Sequence, residues 1–400
     1  MNILIVNCLP EEYNTSSSLC MQLLCKGFLE NDHKVWILSP NCDMNHKYYC
    51  EDYYFQNDKL YHLRYSDIIP KNTNRKQGKS IKKNLVGFAR KIYSAFDLFG
   101  KSIMNLKYCG EIIEKLKALG VNFDIVLSTS DPKTSHLMAN KIIGSVPGKP
   151  KYIQYWGDPL TLDIARKTLT PRFIRKRIEH SMLSKADCVA YVSPLTLNEQ
   201  KAFFPKDSRK MIYSPTPCEI ATYSEKKTGN DGIVLGYFGS YNSSVRNIVP
   251  LYNAVRLREN TSLYIVGDSD IKLEETKNIK VISRVSADQL KQYCEMCNVF
   301  VDLTNNRGSQ IPAKIFRDAG SNREVLLVCD GEAGQHVNQC FSQYNRFTIC
   351  SNTEKDIREK IDGYSVHGVS SKEPLSAFLY KTVSEELLEY AYQKGEKYEP

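Results

Sequence analysis

Four hundred residues exceed what a single hydrophobic core usually organises, so two domains are expected, and a composition of 42% hydrophobic and 25% charged residues excludes a disordered chain. The net charge of +9 points to an anionic partner without choosing among nucleotide, nucleic acid and membrane. Thirteen cysteines, an odd number with no framework spacing, exclude a disulfide scaffold and read as reduced thiols of a cytoplasmic chain. The first apolar run, NILIVNCL (2–9), ends at Pro10 and predicts a buried parallel strand. It has no basic residues before it and is too short for a signal peptide; no stretch of the sequence approaches the ~20 apolar residues of a spanning helix. Residues 17–32 have helical spacing, with Leu19, Met21, Leu23, Leu24, Phe28 and Leu29 on the apolar side, and HKVWILSP (33–40) is the next strand. This βαβ order implies a parallel sheet with a right-handed crossover. Residues 41–70 read as irregular.

The alternation continues. GEIIEKLKAL is a helix, FDIVLSTS (123–130) a strand, KTSHLMANKII a helix and KYIQYWGD (151–158) a strand. Then come a helix in TPRFIRKRIEHSMLSKA, the strand DCVAYVS (187–193), the helix PLTLNEQKAFF and the strand KMIYSP (210–215). The polar segment 216–232, with Pro and Gly, reads as an interdomain linker. A second βα series follows: IVLGYFGS strand, IVPLYNAVRL helix, TSLYIVGD and IKVISRV strands, and SADQLKQYCEMC helix with Ser286 as its N-cap. The strand NVFVDLT leads into NNRGSQIPAKIF, where a polar loop precedes a helix start over 312–317 that carries Lys314. Glu324–Val328 and FTICS are further strands, and 371–393 predicts an amphipathic helix. The expected domains are residues 1–222, 223–372 and a tail, 373–400, returning toward the first.

Strand C-termini of open α/β sheets are where ligands bind. In the second half the strand-ending loops hold Gly239-Ser240 with Arg246, Gly267-Asp268, Arg284-Val285 and 305–314. Arg246, Arg284 and Lys314 could converge on a diphosphate as charge-assisted donors; the plain alternative is three surface cations. A cation where the helix field is already positive is most readily explained by an anion above it. On that reading Lys314→Ala weakens nucleotide binding and leaves thermal stability level or higher. Other signals read more plainly. Asp268-Ser269-Asp270 is a solvated turn, not a metal site. Cys294 and Cys297 are core thiols. No Gly-x-Gly-x-x-Gly follows either first strand, which argues against a dehydrogenase. The segment Trp156-Gly157-Asp158 is either an acceptor contact or a structural turn.

Together these stretches resemble a GT-B glycosyltransferase of the family 4, retaining type. The resemblance is carried by NILIVN…SSSLCMQLLCKGFLENDHKVWILSP, FDIVLSTSDPKTSHLMANKI, YFGSYNSSVR, SLYIVGD, VISRVSADQLKQYCEMCNVFVDL and SQIPAKIFRDAGSNREVLLV, in order over nearly the whole chain. The last is similar to the family's Pro-Ser-Lys-x-x-Glu-Tyr segment. The resemblance implies an α/β fold of two Rossmann-like domains facing a central cleft. It implies transfer of a sugar from a nucleotide-sugar donor to a polysaccharide or lipid-linked acceptor, with retention and without a metal or other cofactor. It places Arg246 and Lys314 on the donor phosphates as the catalytic cations. Gly239, Ser240, Gly267, Arg284, Val285, Gln310, Ile311 and Pro312 then surround the donor. The family's carboxylate pair is not intact: Arg317 stands at the second Glu, and Asp318 beside it is the candidate replacement. On the acceptor side, Asn14, Thr15 and Ser16 occupy the loop where the family has Gly-Gly, and Ser130 and Asp131 stand where it often has His. With His136, Trp156 and Asp158 they are the acceptor-side candidates, although His136 on a helix face also reads as a core histidine. A GT-B sugar-nucleotide epimerase and a non-catalytic nucleotide-sugar binder are the alternatives.

Residues 71–107 hold ten Lys or Arg and one acid, Asp97, interleaved with Phe88, Ile92, Tyr93, Phe96 and Phe99. With RFIRKR (172–177) this is the pattern of a peripheral segment on an anionic membrane at the cytoplasmic face, or else of a solvated helical excursion. No nucleic-acid-binding module is recognisable, so nucleic acid is not expected as a partner.

Overall fold

The structure is a computed structural model and describes residues 1–51, 56–65, 96–224 and 232–392. Contacts divide the chain into two units: residues 1–192, 196–214 and 383–400, and residues 193–195 and 215–382. The second boundary therefore falls at Pro215, and residues 216–224, expected as linker, pack within the second unit. There Cys218 is fully buried and its backbone pairs with Leu379, while Ala221 pairs with Ser321.

The first unit holds a seven-stranded parallel sheet in the order β3-β2-β1-β4-β5-β6-β7. Its strands are β1 (Asn2–Val6), β2 (Lys34–Pro40), β3 (Leu60–Tyr65), β4 (Ile125–Thr129), β5 (Lys151–Trp156), β6 (Cys188–Tyr191) and β7 (Met211–Tyr213). The central strands are continuous apolar runs because helices cover both faces of a parallel sheet; Ile5 pairs with Ile37 on one side and Leu127 on the other. The helices are α1 (Ser16–Glu30), α2 (Cys109–Ala118), α3 (Thr134–Ile142), α4 (Arg172–Leu183) and α5 (Pro194–Phe203). Thr15 caps α1 by accepting from the Ser18 amide, which satisfies one of the free N–H groups of the first turn. β3 lies in the stretch expected to be irregular. It is an edge strand, so only Leu60 and Tyr65 are buried, and His62 and Arg64 break the apolar run.

The second unit holds a six-stranded parallel sheet, β10-β9-β8-β11-β12-β13. These are β8 (Ile233–Phe238), β9 (Thr261–Val266), β10 (Ile279–Ile282), β11 (Val299–Leu303), β12 (Glu324–Cys329) and β13 (Phe347–Ser351). Its helices are α6 (Val249–Val255), α7 (Ala287–Met296), α8 (Ala313–Ala319), α9 (Gly331–Ser342) and α10 (Glu354–His367). Ser286 and Gln289 form a full capping box at the start of α7. Cys294 and Cys297 are buried against Phe238 and Phe300 as core thiols. The sequence reading had no helix at α9 or α10. Only Val337 and Phe341 are buried large apolar residues of α9, whereas α10 buries Ile357, Ile361 and Tyr364 on one face. Arg346, almost wholly buried, donates to the carbonyls of Ala319, Asp318, Ser321 and Arg323, and so fixes the turn that leaves α8.

The tail helix α11 runs over Tyr380–Tyr392, not from 371. Pro374 and the bonds from the Lys372 amide to Asn322 O and the Leu375 amide to Ala319 O hold residues 372–375 in a non-helical path in the second unit. Val383, Leu387, Leu388 and Ala391 of α11 join the core of the first unit formed by Ile3, Ile5, Met21 and Phe28.

Candidate functional site

In the second unit, the loops that follow β8, β9 and β11 meet at the C-terminal edge of the sheet. The Gly239 amide donates to Val266 O and the Gly267 amide to Ile282 O, both at 2.9 Å, so the strand ladder continues into the two glycines. Their φ angles are 151° and 155°. A Cβ on Gly267 would sit 2.1 Å from Gly239 O, so only glycine allows this approach. The loops are then tied together: Tyr241 N donates to Asp268 O at 3.1 Å and Arg284 N lies 3.4 Å from Asp268 Oδ1. Asp270 accepts from the amide and hydroxyl of Ser243 at 2.7 and 2.6 Å, as a turn residue would.

Arg246 reaches back across this edge. Its Nε donates to Asn305 Oδ1 at 3.1 Å and its NH1 to Ser240 O at 2.8 Å, while Asn305 Nδ2 donates to Gln310 O at 2.9 Å. Lys314, in the first turn of α8, passes its stem beside Gly239: a Cβ there would stand 3.5 Å from Lys314 Cδ. The Lys314 ammonium is enclosed on three sides. It lies 3.5 Å from the centre of the Tyr237 ring, 3.3 Å from Val301 O and 3.2 Å from Asp302 Oδ1. The plain alternative of a surface cation does not describe Lys314: its side chain is 9% exposed and is paired with the fully buried Asp302.

Asp302 is the residue sequence reasoning missed, together with Tyr237 and Asn305. Its signal was present, because a carboxylate inside the apolar strand VFVDL has no place in a strand buried on both faces. Both carboxylate oxygens lack a well-directed hydrogen bond, since Lys314 aims its bond at Val301 O and meets Asp302 as an ion pair. Burial pushes the Asp302 carboxyl up to about 6, against the pull of Lys314.

Of the other expected donor residues, Gly239, Ser240, Gly267 and Gln310 gather with Arg246 and Lys314. Arg284 is exposed and Val285 packs partly on the hydrophobic cluster around Phe238 and Phe300. Ile311 and Pro312 are buried behind the loop. Asp318, the carboxylate replacement, is also buried, with Oδ1 accepting from Arg317 Nε at 2.8 Å.

In the first unit, loops after β1, β4 and β5 meet. Ser17 Oγ donates to Asp131 O, and the Gly157 amide donates to Ser130 Oγ at 3.1 Å. Asn14, Thr15, Ser130, Asp131 and Asp158 lie in these loops, and Ser16 opens α1. His136 and Trp156 do not offer a surface to an acceptor, which corrects that expectation. Both are fully buried and stack at 4.2 Å, with His136 Nδ1 2.7 Å from Ser128 Oγ and Trp156 Nε1 donating to Gln154. Burial drives the His136 imidazole well below its ordinary value. The same edge carries groups the sequence reading passed over. Lys133 is buried with Nζ 2.7 Å from Asp131 Oδ1, and Arg64 binds Glu11 and Glu12.

The two parallel α/β units make an α/β fold that matches solved structures of the GT-B class. No family model and no curated protein matches the sequence. The chain is similar to Anabaena HepE in complex with UDP-glucose, with 10% identity, coverage of 97% of this chain and 98% of that one, and a TM-score of 0.55. It is similar to TarM, with 9% identity over 99% of this chain and 96% of that one and a TM-score of 0.56. A glycosyltransferase from Rickettsia africae is 14% identical over 98% and 93% of the two chains, at a TM-score of 0.55. At these identities the likeness establishes the fold.

Proposed function

We propose that the protein is a glycosyltransferase that moves a hexose from a nucleotide-sugar donor to a polysaccharide or lipid-linked acceptor, with retention. The observation that carries this reading is the meeting of Arg246, Lys314 and the Gly239-Ser240 turn at the C-terminal edge of the second sheet. The fold it shares with HepE, a protein solved with UDP-glucose, supports the same reading. Departure of the nucleotide leaves negative charge on the diphosphate. Two cations and close backbone amides placed there favour the transition state over the ground state. Arg246 and Lys314 carry that charge, and the reaction draws on no metal or other cofactor. Arg284 and Val285 border the base, and Asp318 is the carboxylate for the ribose. Asn14, Thr15, Ser16, Ser130, Asp131 and Asp158 line the acceptor side.

The test is incubation of the purified protein with UDP-, GDP-, ADP- and CMP-sugars, followed by analysis of nucleotide and sugar. Slow release of nucleoside diphosphate from one donor supports a transferase. An isomerised sugar would instead make the protein an epimerase, and binding without turnover a non-catalytic sugar-nucleotide receptor.

The acceptor side works at the cytoplasmic face of an anionic membrane. Most of the 71–107 segment, residues 71–95, lies outside the described residues, but the surface next to it supports the reading. Leu169, Phe173 and Phe96 are 67%, 74% and 48% exposed, and Thr170 Oγ donates to Phe96 O, which brings Phe96 beside this stretch. Six Lys or Arg and no acid occur between Asp163 and Glu179, of which Lys167, Arg172, Lys176 and Arg177 are exposed. No described helix is long and apolar enough to cross a membrane. Phe173→Asp should reduce flotation with vesicles containing phosphatidylglycerol, and raised salt should do the same to the unaltered protein. Equal flotation of both proteins at all salt concentrations would remove the membrane from this account.

A further inference from the structure

We propose that Asp302 is a positioning residue that holds Lys314 while the donor site is empty, gives it up to the donor diphosphate, and takes a proton from water as it does so. This rests on the assignment of Lys314 to the diphosphate. The argument begins with what each group keeps when the other leaves. Lys314 has a flexible four-carbon stem, and its ammonium is held by one carboxylate, one carbonyl and one ring face. A diphosphate beside Gly239-Ser240 offers it two negative charges in place of one. Asp302 has no such alternative. It sits next to the C-terminal end of β11 with no exposed surface, and neither of its oxygens has a well-directed hydrogen bond. The other charged groups that face it are already committed. Arg317 of α8 donates to Asp318, and Arg346, at the start of β13, donates to four carbonyls. Asp318, also on α8, adds only like charge. A buried carboxylate that loses its sole close cation becomes neutral sooner than it remains ionised.

The charge balance is simple. Before binding, Lys314 and Asp302 sum to zero. Afterwards Lys314 neutralises phosphate charge, and Asp302 carries a solvent proton and no charge. Donor binding is therefore linked to uptake of up to one proton. Below the range in which free Asp302 titrates, the proton is already present and affinity is level. Above it, affinity falls as pH rises, by up to tenfold per unit, until bound Asp302 also ionises.

The experiment is calorimetry of whichever intact nucleoside-diphosphate sugar binds, measured in two buffers of different ionisation enthalpy. A sugar nucleotide is the right probe because its two phosphates have no titration between pH 6 and 8, unlike a free nucleoside diphosphate. The unaltered protein should take up between half a proton and one proton at pH 8. Asp302→Asn, of the same shape, should take up none, bind with an affinity independent of pH, and bind tenfold or more tightly than the unaltered protein at pH 8. No proton uptake by the unaltered protein, or the same uptake by Asp302→Asn, overturns the proposal. The first of these needs no variant to fold. Lys314→Ala separates the two ideas: if it binds the sugar nucleotide as tightly as the unaltered protein, the diphosphate assignment of Lys314 fails as well. If it binds weakly while proton uptake is absent from the unaltered protein, only the role of Asp302 fails.

Discussion

Lys314→Ala is expected to weaken sugar-nucleotide binding roughly tenfold to a hundredfold, as loss of a charge-assisted phosphate contact of about 1.5–3 kcal/mol requires. It is also expected to lower stability by about 3–5 kcal/mol above neutral pH, the usual loss when one partner of a buried ion pair is removed. The second part reverses the expectation from sequence, where the lysine stood only against the positive end of a helix. In the structure it is the counter-ion of the buried Asp302. The pH dependence follows from the same pair. The Asp302 carboxyl is raised by burial above its unfolded value, and without Lys314 it rises further. A carboxyl raised in this way contributes stability that is fully present below the unfolded carboxylate range and is lost as pH rises through the folded value. Below about pH 6 Asp302 is protonated in both proteins, so their stabilities should differ little beyond the lost ring contact. Above it the unaltered protein keeps a paired carboxylate, the variant must either bury a lone one or take up a proton, and the gap opens. Urea denaturation at pH 5 and pH 8 checks this. A gap that is the same at both values would mean that Asp302 and Lys314 are not coupled.

The alternation of strands and helices was legible because parallel strands covered on both faces are unbroken apolar runs, as in Ile3–Val6 and Val325–Val328. What escaped was whatever departs from that rule. β3 is an edge strand and tolerates His62 and Arg64, so its pattern is diluted. α9 buries little and contains Gly334 against Cys329, which lowers its helical signal. α10 does carry a signal in the sequence, Ile357, Ile361 and Tyr364 behind the capping Thr353. The site divides along the same line. Gly239, Ser240, Arg246 and Lys314 could be placed because turn glycines and cations at strand ends have few other uses. The Asp302–Lys314 pair could not, because it depends on β11 and α8 folding against each other over a loop, although the carboxylate itself was visible as an anomaly in its strand. His136 and Trp156 show the opposite failure. Polar and aromatic types near strand ends look functional in sequence, yet Ser128, Gln154 and mutual stacking satisfy both inside the core.

Gly267→Ala tests the geometry of the donor edge without touching a charge. The added Cβ would stand 2.1 Å from Gly239 O and 2.5 Å from Gly239 C, which are backbone atoms and have no rotamer to yield. The φ of 155° is itself unfavourable for alanine. Strain of about 1–3 kcal/mol from the dihedral and a similar amount from overpacking predict a loss of about 2–6 kcal/mol. The chain can relieve the clash only by parting the loops after β8 and β9. That breaks the run of bonds from Gly239 N to Val266 O and from Tyr241 N to Asp268 O, and it carries Ser240 away from Arg246. Sugar-nucleotide affinity should therefore fall at least tenfold with both cations still present. Gly363→Ala in α10 is the matched control, because a Cβ there meets nothing within 4 Å. It should raise stability by about 0.5–1 kcal/mol, by restricting the unfolded chain and favouring the helix, and leave binding unchanged. Urea denaturation and calorimetry of the two variants read both effects. If Gly267→Ala unfolds at the same urea concentration as the unaltered protein and binds donor equally well, the two loops do not approach as described, and the glycine at 267 is incidental to the site.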